Sequence, residues 1–86
     1  MRAKINGRNW DVEYANLRSK DGDCDSPTTK RKKIRISKHL LRYPAALMEA
    51  LLHEGMHAAL PDLSETAVDT IARDLARLLH KEGFTR

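Results

Sequence analysis

Eighty-six residues with a net charge of +4 make one domain (residues 1–86), near the lower limit at which an apolar core suffices alone, so a bound metal would add stability as well as chemistry. A single cysteine excludes an internal disulfide, and no apolar run approaches the roughly 20 residues that a membrane span needs. The first residues go straight into polar, alternating sequence with no secretory leader, so the expected setting is the cytoplasm.

The N-terminal third reads as sheet. Residues 2–5 and 8–14 flank Asn6-Gly7, the dipeptide most typical of a two-residue type I′ hairpin turn, and Trp10, Val12 and Tyr14 alternate onto one face that should cover helices. Asp21-Gly22-Asp23-Cys24-Asp25 invites a calcium reading, but an EF-hand loop starting at Asp21 would need glycine sixth and an acid twelfth, where Ser26 and Lys32 stand. The stretch through Pro27 is expected as an acidic surface loop, mobile unless it folds over a cleft. Cys24 within it is expected to be a buried or idle thiol; zinc ligand or latch is the other reading.

Lys30, Arg31, Lys32, Lys33, Arg35, Lys38 and Arg42 put seven cations within thirteen residues. Such runs are usually solvated faces, yet this density allows phosphate contact, and nucleic acid is a candidate partner through residues 30–42. No aromatic residue interleaves with the run, so a single-strand stacking platform is not expected. Lys33–Ser37 reads as a third strand with Ile34 and Ile36 pointing inward. Its free edge could pair with an extended peptide, or it could be a plain edge guarded by its cations.

Residues 43–60 read as a helix: Pro44 suits a first-turn position, a run of strong helix formers follows, and Pro61 stops it. Inside lies His53-Glu54-Gly55-Met56-His57. An H-E-x-x-H spacing on a helix sets two imidazoles one turn apart on one face with a carboxylate beside them, the outline of a zinc-hydrolase site. The imidazoles would supply nitrogen ligands to Zn²⁺, a third side chain would complete the set, and Glu54 could deprotonate a water in the fourth position.

A second helix is expected from Asp62 to about His80, with Ala67, Val68, Ile71, Leu75, Leu78 and Leu79 at helical steps and the small Ala72 and Ala76 permitting close approach. The first helix has only about one turn, roughly 5 Å, left after His57. The pair should therefore be an antiparallel hairpin, with Glu65 level with His57 and Asp69 level with His53. Glu65 can then be the third ligand and Asp69 can accept the outward N–H of an imidazole. The competing role for Glu65 is the N3 glutamate of a capping box with Asp62 as N-cap. Asp62, His39 and Cys24 are the other candidate ligands, and His80 lies about four turns away.

The order His53-Glu54-x-x-His57 followed by Glu65-x-x-x-Asp69 resembles the gluzincin plan of zinc metallopeptidases. It is most similar to very small SprT-like domains, in which an Ile-rich strand, here Ile34-Arg35-Ile36-Ser37, precedes a Leu-rich helix ending in H-E-x-x-H-A, here Leu51 to Ala58. The likeness spans residues 33–80, with seven residues between His57 and Glu65, fewer than in larger gluzincins. Metzincins fit less well, since their third histidine would fall at Leu63. The resemblance implies Glu65 as third ligand, Asp69 as its supporting partner, and peptide or protein as substrate.

The expected architecture is α+β: a small antiparallel sheet, the N-terminal hairpin plus one further strand, packed on an antiparallel pair of helices that carry the zinc site. The expected function is a zinc-dependent metallopeptidase acting through a zinc-bound water, with Glu54 as general base and Tyr43, His39 or Arg73 as conceivable oxyanion donors. The rival readings are a nucleic-acid-binding or interaction module with a structural or vestigial zinc site, and a zinc hydrolase acting on a non-peptide bond.

Overall fold

Asn6 and Gly7 take up φ of 49° and 76°, the left-handed pair that a type I′ turn requires and that asparagine and glycine tolerate best. In the computed structural model, which describes residues 1–84, this turn joins the first two of four strands. These are β1 (Arg2–Ile5), β2 (Arg8–Ala15), β3 (Gly22–Cys24) and β4 (Lys33–Ser37), in spatial order β1-β2-β4-β3. A 3-10 turn, Lys38–Arg42, leads into α1 (Pro44–Ala59), and α2 (Glu65–Lys81) follows. The class is α+β, as expected from the sequence.

The sheet is mixed rather than antiparallel. The β1–β2 and β3–β4 pairs are antiparallel, but β2 and β4 run parallel, with Val12 opposite Ile34 and Tyr14 opposite Ile36. Parallel neighbours need a long return connection, and the chain between Ala15 and Lys33 supplies it, laying down β3 on the way. That overturns two expectations. The acidic stretch around Gly22 is an edge strand and not a loop, and β4 has no free edge because β3 occupies it.

One face of the sheet is apolar. Trp10, Val12, Ile34 and Ile36 are buried there against Leu47, Ala50 and Ala58 of α1. The other face carries charge paired across strands: Lys33 with Glu13 at 3.0 Å, and Arg35 with Asp23 at 2.9 Å and Asp25 at 3.1 Å. Alternation along strands separates the two faces. Helix α2 packs on α1 through Val68, Ala72 and Ala76. Small side chains let the two helix axes approach closely, as expected. Ile71, Leu75 and Leu78, which mark the helical period, are exposed, and the seam with α1 lies on the Val68–Ala72–Ala76 stripe.

Candidate metal centre

His53 and His57 stand one turn apart in the second half of α1, and their Nε2 atoms approach to 3.1 Å. Only Leu60 to Ser64 separate the helices, so α2 begins immediately beside them. Ser64 is the N-cap and accepts a hydrogen bond from the Ala67 N–H. Asp62 is therefore not the cap, Glu65 is the first helical residue rather than N3, and no capping box forms. With its carboxylate free of that task, Glu65 reaches across: Oε1 lies 2.8 Å from His53 Nε2 and Oε2 lies 2.9 Å from His57 Nε2. One turn further along α2, Asp69 Oδ1 is 3.1 Å from His53 Nδ1.

The donor set fits a cation. Asp69 takes the Nδ1–H of His53, which leaves the Nε2 of a neutral ring with its lone pair facing a second imidazole nitrogen and a carboxylate. Lone pairs crowded in this way repel unless a positive charge sits among them. Tetrahedral ligands about 2.0–2.1 Å from an ion lie roughly 3.3 Å from one another, close to the 2.8–3.1 Å separations found here. His53, His57 and Glu65 form a group that could hold a metal ion. Among the described residues no other His, Cys, Asp or Glu set converges in this way.

Glu54, between the two histidines in sequence, points from α1 toward β3. It is only 6% exposed, and among the described residues its carboxylate takes part in no hydrogen bond or ion pair. Burial pushes its pKa up, and this outweighs the opposite pull of His53 and His57. Gly22 makes its position possible. A Cβ there would lie 3.0 Å from Glu54 Cγ and 3.1 Å from Glu54 Oε2, as well as 2.9 Å from the Arg35 carbonyl oxygen. An open cleft of about 620 Å³ runs past these groups, walled by β3 and the residues after it on one side and by Pro61 and Glu65 on the other.

Cys24 lines the cleft but is not among the converging ligands. Its Sγ–H faces the Asp25 carbonyl oxygen at 3.4 Å, and burial, reinforced by Glu54, Asp25 and Asp23, pushes the thiol up to about 12. A thiol so disposed stays protonated at neutral pH. His39 lies on the 3-10 turn, with Nδ1 2.7 Å from Ser37 Oγ. Neither it nor Tyr43, Arg73 or His80 borders the cleft. Lys20, Gly22 and Asp23 do border it; the stretch is expected as an acidic loop that could fold over a cleft, and nothing in residues 16–25 signals the strand that holds it there. The basic run is divided: Lys33 and Arg35 are held in ion pairs, while Lys30, Arg31 and Lys32 gather with Arg2 and Arg8 around a separate groove.

Comparison with protein-family models, with curated proteins and with solved structures finds no match. Among the described residues no helix is long and apolar enough to cross a membrane.

Proposed function

We propose that this chain is a zinc-dependent metallopeptidase built on the gluzincin plan and similar in arrangement to small SprT-like domains. One observation carries the reading: two imidazole Nε2 atoms and a carboxylate meet at one point, with Glu54 of the same helix lining the cleft beside them. Two imidazoles and a carboxylate suit zinc, which when bound supplies Lewis acidity, polarising a carbonyl and bringing the pKa of water toward about 7.

The protein's own groups have separable tasks. His53, His57 and Glu65 hold the ion, and Asp69 fixes the tautomer and ring orientation of His53. Glu54 takes the proton of the attacking water and delivers it to the leaving amine. The open trough between β3 and Pro61 gives room for an extended chain. A site built only to hold a structural ion gives Glu54 no task.

The test is elemental analysis of protein purified without added metal, together with hydrolysis of an unstructured polypeptide. One zinc per chain is expected. Glu54→Gln should keep that zinc while hydrolysis falls roughly 10²–10⁴-fold, the usual loss when acid–base assistance is removed. A Glu54→Gln protein as active as its parent ends this reading even with zinc present.

A further inference from the structure

The large apolar side chains of α2 lie outside its seam with α1. Val68, Ala72 and Ala76 on the seam are at most 3% exposed, whereas Ile71 and Leu75 are 39% and Leu78 is 54% exposed. At about 100° per residue these three form a second stripe, roughly 90° round the helix from the seam. Burying leucine or isoleucine gains far more than burying alanine, so a helix shaped for α1 alone would gain more from the opposite arrangement. The four- and three-residue steps of the stripe are those of a seam between paired helices. Glu65 and Asp69 lie on the other side of the α1 seam, so a partner on this stripe leaves the cleft beside His53 and His57 open.

Charge along α2 is sorted by end. The acids Glu65, Asp69 and Asp74 fall in its first ten residues and the bases Arg73, Arg77 and Lys81 in its last nine. Three against three leaves little net charge to draw an anionic lipid surface. The same sorting suits the helix to a second copy lying antiparallel, where acidic half meets basic half and the two helix dipoles oppose. Among the described residues neither Asp74 nor Lys81, both at the outer margin of the stripe, takes part in an ion pair. With a two-fold axis between residues 76 and 77, Leu75 packs against the partner's Leu78. Asp74 then comes within two residues, about 3 Å of rise, of the level of the partner's Lys81.

We propose that this stripe is a self-association surface, on which two copies of the chain pair through antiparallel α2 helices, with Leu75 and Leu78 at the centre and Asp74 facing the partner's Lys81. A 17-residue helix offers a face about 25 Å long and 10 Å wide. That is well under the roughly 800 Å² per partner of a standard stable interface, so the pair is reversible, with Kd roughly 10–100 µM.

The experiment is sedimentation equilibrium of the full chain from about 5 to 500 µM. The parent should pass from one chain toward two and no further. Leu75→Gln/Leu78→Gln, at positions outside the core, should keep its helical circular dichroism and pair at least about tenfold more weakly. Charge reversal then tests the geometry. Asp74→Lys and Lys81→Asp should each self-associate more weakly than the parent, because like charges meet across the axis. An equimolar mixture of the two should associate at least about fivefold more tightly than either alone, since both cross-pairs become attractive. A parent that stays monomeric throughout overturns the pairing, and if that monomer sediments with phosphatidylcholine–phosphatidylglycerol vesicles the stripe is a lipid face instead. Assemblies larger than two, undiminished pairing in the double-glutamine variant, or a mixture no tighter than its components also overturn it.

Discussion

Glu65 and Asp69 act on the same histidine from opposite ends, and the two contacts should weigh differently. Glu65 contributes a charged oxygen directly to the converging set, so Glu65→Ala should abolish tight metal binding. Asp69→Asn leaves every ligand in place and disturbs only the Nδ1 partner of His53, so affinity should weaken about 10–100-fold. Competition with a chelator of known affinity measures both. A Glu65→Ala protein that binds zinc as tightly as the parent would leave Glu65 as an ordinary first-turn acid of α2. Cys24 should answer differently again. With its pKa near 12, alkylation by iodoacetamide at pH 8 should be far slower than for an exposed cysteine, whose thiol titrates near about 8.5. Cys24→Ser should keep its zinc. Rapid labelling, or loss of metal in the serine variant, would return the thiol to the list of ligands.

Among the elements, β3 depends most on side-chain electrostatics. Three residues rich in acid and glycine have little intrinsic tendency to form a strand, and Arg35 on β4 pins them by contacting Asp23 and Asp25 together. Burial pushes the Asp23 carboxyl up, but hydrogen bonds from Lys20 and Arg35 outweigh it and hold the group below the ordinary carboxylate range. A carboxyl whose pKa is lower in the folded than in the unfolded chain stabilises the fold above the unfolded value of about 3.9, and that contribution disappears as pH falls through the folded value. Asp23→Asn should therefore cost about 0.5–1 kcal/mol at pH 7, with parent and variant converging at the acid end. Urea unfolding of metal-free protein measures it without interference from ligand protonation. A constant difference across pH would mean that Asp23 acts by packing alone. The same electrostatics explain why β3 was not legible in the sequence: the signal lies in a contact between positions ten and twelve residues apart, not in any local pattern. The Asn6-Gly7 hairpin, the Ile34/Ile36 strand and α1 were legible because each carries a local signal, whether turn chemistry, period-two alternation or a run between two prolines.

At the scale of the whole molecule, most of the candidate metal centre was legible as well. Helical spacing brings His53 beside His57, and a short connection forces Glu65 and Asp69 to the matching level of the returning helix. The walls of the cleft were not legible, since they belong to β3 and to the parallel pairing that places it. The period of Ile71, Leu75 and Leu78 marked a helix without saying which neighbouring element, if any, covers that stripe, and it is exposed.

Helix α2 touches the rest of the protein mainly along one seam with α1, formed by Val68, Ala72 and Ala76. Apart from Val68 these are alanine-sized contacts that bury modest apolar area, so the five-residue connection and the Glu65 and Asp69 contacts near that same end matter correspondingly more. An ion shared by His53, His57 and Glu65 is thus a clasp between the two helices. Its removal should loosen α2 before the sheet. In amide hydrogen exchange, chelation should speed α2 by at least about tenfold, most of all in the turns around Asp69 that the clasp holds and least toward Lys81, while Trp10 and Ile36 in the sheet keep their protection until the whole chain unfolds. Uniform acceleration across both layers would mean that the helix and the sheet open together. If the clasp behaves as expected, this small domain reports its own metal occupancy through the mobility of a single helix, and proteolytic nicking within α2 becomes a measure of how much of a sample is loaded.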